Sequence, residues 1–463
     1  MAEVFEIVVV GLGPGDPGLL TTETALALSS DRVFLRTRIH PTLEKLANSS
    51  NWPSFDDLYE QLETFEEVYD RIVEKLMREV ETGSLVYAVP GHPLFGEATV
   101  RRLLQVATER KVPVRVLPAI SFLDSIVTSL GIDPVETSLQ LVDALELVAV
   151  TEAQPFAGGE LPLSPLRPAC VAQIYSRNIA SHAKLALLRV YPEDLVVTML
   201  RATGSAACEI RTMPLYEIDH HDVNHLSSLY LPSVNPLEND RSFEGLQQII
   251  AQLRAPGGCP WDREQTHDSL IRHMIEEAYE VVHAVEGNSP GDLAEELGDV
   301  LLQVLLHAQI AEEAETFMLE DVIEILARKL VRRHPHVFGN RVIDSSGEVV
   351  KAWDQIKAQE RAGKATVEAE SPFGVIPPTL PALARAQTLM RRAESRGFDV
   401  VLGTPELMTD MTNENDVSEA QVAQKLATIV RDAATNGVDA EQALRRWTEQ
   451  FEKVASEDRS AAG

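Results

Sequence analysis

Three cysteines in 463 residues, Cys170, Cys208 and Cys259, are too few and too scattered for a disulfide framework or a cysteine metal site. In a reducing compartment they stay thiols. No apolar run approaches the roughly eighteen residues that a membrane helix needs, and Glu3 and Glu6 stand where a signal peptide would be basic. The expected location is the cytoplasm, with no membrane partner. Positive charge is scarce: 41 Lys and Arg against 71 Asp and Glu leave a net charge of -30, which argues against nonspecific nucleic-acid binding. An anionic substrate meets the same repulsion and needs a cation or a local basic cluster to offset it. The length suffices for two or three domains with sizeable cores.

Acid is patterned most tightly around Gly287-Asn288-Ser289-Pro290-Gly291, a short loop between two helix-patterned segments. Before it, Leu270, Met274, Ala278, Val281 and Val285 recur at the helical period and predict a buried stripe, while His273, Glu276, Glu277, Glu280 and His283 share the other face. After it, Ser289, Pro290 and Asp292 make a start resembling a capping box, and the helix runs into the apolar stretch Val300 to Leu306. Gly298 costs about 1 kcal/mol of helix propensity relative to alanine and predicts a close backbone approach. Glu277/Glu280 and Glu296/Asp299 are both spaced i, i+3. At ~1.5 Å rise per residue Glu280 and Glu296 lie roughly 9 Å from the loop on either side, so an antiparallel hairpin sets the pairs side by side. Four carboxylates at one level repel unless a cation sits among them.

All-oxygen ligands without a nearby Cys/His quartet favour magnesium or manganese over zinc. Magnesium usually shares its site with substrate phosphates. Lys329, Arg332 and Arg333 follow on one helical face, just before Pro335 disfavours helix at His334. The helix dipole alone favours cations there, but a carboxylate-bound cation with a basic cluster also suits a polyphosphate substrate.

Gly257-Gly258-Cys259-Pro260-Trp261-Asp262, Glu264-Gln265-Thr266, Glu276-Glu277-Ala278-Tyr279-Glu280, Glu295-Glu296-Leu297-Gly298-Asp299, Arg332 to Gly339 and Trp353-Asp354-Gln355-Ile356-Lys357 together resemble the MazG family of nucleoside triphosphate pyrophosphohydrolases. The resemblance spans roughly residues 237 to 400. It implies an all-α, usually dimeric, magnesium-dependent enzyme that converts NTPs to NMP and pyrophosphate. It puts the family's metal ligands on Glu277, Glu280, Glu296 and Asp299, with Glu276 as a spare carboxylate that binds a second metal or orients the attacking water. Lys329, Arg332, Arg333 and Lys357 would neutralise phosphate charge, and Trp353 would stack a base or anchor the core.

The first half reads differently. Val4 to Val10, Leu85 to Val89 and Val112 to Leu117 are strand candidates, the first followed by Gly11-Leu12-Gly13-Pro14-Gly15-Asp16-Pro17 and a helix from about Thr21. Asp16 stands where a dinucleotide fingerprint has its third glycine, so a nicotinamide site is not expected. With Pro90 to Glu97, Leu117 to Asp124, Ala180 to Leu185 and Tyr191 to Asp194, these segments resemble the tetrapyrrole methylase family, in the branch fused ahead of MazG domains. That implies S-adenosylmethionine bound near Gly11, Gly13, Pro14, Gly15, Pro90, Gly91, His92 and Ser121, with a tetrapyrrole as partner. Two departures stand out: the Gly-Gly-Asp loop common in active porphyrin methylases is absent, and Ala119 replaces the usual glycine. A binding or regulatory domain is as well supported as a methyltransferase. His220, His221 and His225 read as surface residues.

The expected architecture is an α/β tetrapyrrole methylase-like domain over 1–230, a linker over 231–236 and an all-α MazG-type helical bundle over 237–400. Residues 401–463 are expected to be a degenerate second repeat, because Leu407 to Gly437 lacks the paired acidic motifs. The expected function is magnesium-dependent NTP pyrophosphohydrolysis by a homodimer. The alternatives are a tetrapyrrole methyltransferase with an accessory helical domain, and a nucleotide-responsive binding module without turnover.

Overall fold

The computed structural model describes residues 5–47, 49–156, 158, 161–339, 345, 348–349, 352, 356, 376–395 and 419–461. They fall into two compact units, Met1–Leu326 and Ala327–Gly463. The first opens with a parallel sheet in the order β2-β3-β1-β4, made of β1 (Ile7–Gly11), β2 (Val33–Leu35), β3 (Leu85–Val89) and β4 (Val114–Val116). Three of these are the strands expected from the sequence: β3 has the expected bounds, β1 starts later and runs one residue further to Gly11, and β4 is shorter at both ends. β1 and β3 are buried at every position. Ile7, Val9, Leu85 and Tyr87 pack on one side, while Val8, Val10, Val86 and Ala88 pack on the other, the period-two division of a sheet covered on both faces. Of the helices α1 (Thr22–Ala27), α2 (Asp56–Gln61), α3 (Phe65–Glu79) and α4 (Ala98–Arg110), α3 and α4 cover the first of these faces through Ile72, Leu76, Val100 and Leu103.

After α5 (Phe122–Leu130) a second sheet follows in the order β5-β6-β9-β7-β8. Its strands are β5 (Gln140–Asp143), β6 (Ala169–Ala172), β7 (Val196–Arg201), β8 (Glu209–Pro214) and β9 (Ser227–Leu231), with helices α6 (Ala144–Glu152) and α7 (Arg177–Leu187). Only the β5–β6 pair is parallel. The sheets meet where the loop after β3 abuts the exit of β6: a Cβ on Gly96 would come within 2.9 Å of Gln173 Nε2.

From here the chain is helical: α8 (Phe243–Arg254), α9 (Pro260–Glu264), α10 (His267–Glu286), α11 (Pro290–Glu313), α12 (Leu319–Arg333) and α13 (Pro335–Phe338). Just before α8, the buried Asn239 donates to the Val190 carbonyl at 2.9 Å and Arg241 to that of Leu188 at 2.8 Å. At its other end α8 adds Ile250 to a core with Leu270, Leu305, Leu306 and Leu319. It is a strut joining the α/β part to the α10–α11 hairpin. In the second unit the helices Ala382–Ser395, Glu419–Thr435 and Ala440–Ala461 gather around Met390, Val430 and Ala440. The buried Gln387 ties them, donating to the Val438 carbonyl at 2.6 Å and accepting from Ala440 N at 3.0 Å. No helix among the described residues is long and apolar enough to cross a membrane.

Candidate functional site

The hairpin is built by its caps. Thr266 and Ser269 form a reciprocal capping box at the start of α10, and Ser289 accepts from Asp292 N at 3.4 Å, with Pro290 in the first turn of α11. Between them only Gly287, Asn288 and Ser289 make the turn, Asn288 in the left-handed region with φ 53°. The carboxylates of Glu277, Glu280 and Glu296 are brought together, with one oxygen of each within 4.8 Å of the others. Asp299 lies outside that triangle yet still acts on both Glu277 and Glu296. Partial burial, the hydrogen bond to Glu280 and the charges of Asp299, Glu280 and Glu276 push the Glu277 carboxyl up to about 7. Partial desolvation and the charges of Glu280, Asp299, Glu295 and Asp292 raise Glu296. The same mutual repulsion is what a cation among these carboxylates would relieve. Glu276 is more exposed and faces His273 at 3.7 Å.

Two sequence expectations for the hairpin fail. Gly298 makes no close approach, since a Cβ there would meet nothing within 4 Å. The buried stripe on α10 is also incomplete: Leu270 and Ala284 are buried, but Val285 is 57% exposed, and Ile271, Ile275 and Tyr279 present a second apolar face to solvent. Lys329, Arg332 and Arg333 sit in the last turns of α12, which ends before His334 as the proline predicts. Trp353 and Lys357 lie outside the described residues.

The Gly257-Gly258-Cys259 stretch is architectural. A Cβ on Gly258 would fall 2.3 Å from the carbonyls of Gln252 and Leu253, so only glycine lets this turn close on the end of α8. Arg254, with its side chain 5% exposed, donates to the carbonyls of Asp262 and Gln265 and pairs through two nitrogens with Glu313 at 2.8 Å. Sequence reasoning missed this residue, and it missed the stacked pair His267 and His307, whose Nδ1 atoms are 2.7 Å apart.

In the α/β part, the residues expected near a methyl donor collect at the strand ends. Gly13 and Gly91 exchange backbone hydrogen bonds at 3.2 and 3.1 Å, and Gly11 presses on the Gly91 carbonyl and the Ala119 methyl so closely that a Cβ there would lie 2.2 and 2.6 Å away. Pro14 meets Gly204, and Gly15 faces Pro41 and Ser205. His92 accepts from Leu94 N at 3.1 Å, and the Ser121 hydroxyl caps α5 and donates to Asp124 at 2.6 Å. Pro90 begins the same loop. Gly91, at φ 63°, has open space on its Cα, and the buried His40 has an unpartnered Nδ1 beside the Gly13 backbone, its pKa pushed down to about 4 by burial. The open space on Gly91 and the orphaned His40 nitrogen leave room and an unpaired polar atom at these strand ends, where α/β folds bind ligands.

Residues 265–338 match the MazG nucleotide pyrophosphohydrolase domain, and residues 6–219 match the tetrapyrrole (corrin/porphyrin) methylases. YabN of Bacillus subtilis, an uncharacterized protein, is 41% identical over 393 residues, which cover 83% of this chain and 76% of that one. The MazG nucleoside triphosphate pyrophosphohydrolase of Thermotoga maritima is 43% identical over 217 residues, 45% of this chain and 82% of that one. The chain belongs to the MazG family. Within it, this is the YabN-type arrangement, a tetrapyrrole methylase-like α/β part ahead of the MazG helices. Among solved structures, uroporphyrin-III C-methyltransferase of Thermus thermophilus aligns with a TM-score of 0.37 at 15% identity, covering 49% of this chain and 94% of that one.

Proposed function

We propose that the MazG part hydrolyses nucleoside triphosphates to the monophosphate and pyrophosphate with magnesium, or manganese in its place. The carboxylate triangle of Glu277, Glu280 and Glu296 carries this reading, because an all-oxygen donor set whose members raise one another's pKa is suited to a hard divalent cation. Glu277, Glu280 and Glu296 would hold it, with Asp299 as the adjacent ligand. When bound, such a cation neutralises phosphate charge and makes water more acidic. The exposed Glu276 orients the attacking water and accepts its proton; the new P–O bond forms as the α–β anhydride breaks and pyrophosphate leaves. Phosphate neutralisation is assigned on chemistry alone to Lys329, Arg332, Arg333 and Lys357, and base stacking to Trp353. The test is incubation with a panel of NTPs and magnesium. Pyrophosphate release in step with NMP supports the reading; its absence, or release of inorganic phosphate alone, overturns it.

A homodimer is part of this proposal. The exposed Ile271, Ile275 and Tyr279 of α10 and the exposed Leu297 and Val304 of α11 are apolar surface on the hairpin that the same hairpin of a second copy would cover. For the α/β part we infer S-adenosylmethionine binding, supported by the open Gly91 cradle and the orphaned His40 nitrogen. Methyl transfer to a tetrapyrrole is a separate question, addressed by assay in the Discussion.

A further inference from the structure

Arg36 is the first residue after β2, and Glu97 follows the β3 loop as the cap of α4, so both lie at the strand-end edge of the first sheet. Their side chains pair at 2.7 Å and are 19% and 2% exposed. The other carboxylate oxygen of Glu97 accepts from the Thr99 amide and hydroxyl, and Tyr87 in turn bonds the Thr99 hydroxyl at 2.9 Å. A buried ion pair is weak evidence for stability, since desolvation commonly cancels its attraction. What this pair does is hold a neutral, polarised platform for two phenols. Arg36 Nε donates to Tyr59 Oη at 3.1 Å, and the guanidinium carbon lies 5.7 Å from the Tyr69 ring centroid. An oxygen accepting from a guanidinium keeps its own proton to give. No described residue takes the phenolic proton of Tyr59 or of Tyr69. Burial, working against Arg36, raises both phenols above their ordinary value, so they are donors at neutral pH.

Flat apolar surface surrounds these donors. Phe65 stacks on Tyr69 at 6.1 Å, meets Tyr59 edge-on at 6.4 Å and is 57% exposed. From the second sheet, Tyr175 leaves β6 close enough to act on Tyr69 and is itself partly exposed. The charge balance then selects the ligand. Glu97 already neutralises the guanidinium in a chain of net charge -30, so a polycarboxylate gains no net positive charge from Arg36, whereas the hydroxyls of Tyr59 and Tyr69 are neutral donors suited to a carbonyl. We propose that Tyr59 and Tyr69, set by the Arg36–Glu97 pair, bind an amide-type carbonyl on a flat apolar body, as in a peptide bond beside an aromatic residue or the lactam of a nucleobase. The site stands independently of the pyrophosphohydrolase and methyl-donor readings.

The test uses the full chain with isotope-labelled tyrosine rings, the two signals assigned through Tyr59→Phe and Tyr69→Phe. The probes are N-acetylphenylalaninamide, uridine and uroporphyrin III. At least one neutral probe is expected to shift both signals saturably, and each Phe variant to weaken that probe about fivefold, the worth of one hydrogen bond. Whichever neutral probe responds names the source of the carbonyl. No shift with either neutral probe at millimolar concentration overturns the proposal, as does a saturable shift with uroporphyrin. Should a Phe variant melt early, the wild-type titration with the other variant's assignment decides.

Discussion

Glu280 on α10 and Glu296 on α11 face each other across the hairpin, their carboxylate oxygens within 4.8 Å with Glu277 as the third corner. Like charges at that distance repel, and a proton on one carboxyl or a cation among them relieves the repulsion. Glu280→Gln or Glu296→Gln is therefore expected to abolish NTP hydrolysis while circular dichroism keeps its helical content. The metal-free melting temperature should stay level or rise, because a repulsion has been removed. Near-normal turnover in either variant would place the cation elsewhere.

The raised Glu277 carboxyl makes the metal-free protein pH-sensitive. A folded pKa of about 7 against an ordinary 4.5 means the folded chain holds a proton the unfolded chain has lost. That contribution to stability is complete below about 4.5 and disappears as pH rises through about 7. Thermal melts across this window should show stability falling with pH in the metal-free protein, and a shallower slope, left by Glu296, in Glu277→Gln. Saturating magnesium, competing with the proton, should flatten the slope as well.

In the α/β part, Glu97→Gln and Arg36→Met each strand one member of a buried pair. Breaking such a pair costs about 3–5 kcal/mol, less here because Arg36 keeps some solvent contact. Denaturant melts should show each single variant clearly destabilised and the double variant less than the sum of the two.

For the methyl-donor site, calorimetry on the full chain with S-adenosylmethionine and S-adenosylhomocysteine should show measurable binding that Gly91→Val removes by filling the open space on its Cα. Methylation of uroporphyrinogen is expected to be slow or absent. No heat at millimolar ligand would remove the binding claim, and rapid methylation the doubt about catalysis.

One catalytic metal cluster per chain is expected. Neutralising Glu414, Asp416 and Glu419 together, the first two outside the described residues, should leave the hydrolysis rate almost unchanged, with metal stoichiometry still one site per chain. A large loss of rate in a folded protein would show that the tail takes part in the chemistry.

What was legible in the sequence was local. Glu277, Glu280 and Glu296 could be found because helical spacing and a three-residue turn fix their relation without tertiary information. β1 and β3 were found because strands covered on both faces read as continuous apolar runs. The second sheet was not, since β5 and β8 mix exposed polar and apolar residues and gain their meaning only from partners far along the chain. Arg36 and Glu97 were invisible for the same reason, 61 residues apart with no periodicity linking them. Gly298 misled because a helical glycine implies close approach only if something stands opposite, and among the described residues nothing does. The Gly-Gly-Cys-Pro-Trp-Asp motif belonged to the right family, but its glycines serve the turn after α8 rather than the chemistry.

Arg254 and Glu313 stand at the last residues of α8 and α11, and their pair encloses the whole hairpin. On the ribosome the guanidinium emerges first and meets the carbonyls of Asp262 and Gln265 soon afterwards, but its carboxylate follows 59 residues behind. At roughly 5–20 residues per second that is an interval of about 3–12 s. Within it, Glu277 and Glu280 on α10 are translated before Glu296 on α11 completes the acidic triangle. For part of that interval a nascent chain thus carries an open, negatively charged half-site, and the Arg254–Glu313 pair closes the hairpin only after all three acidic corners have been made.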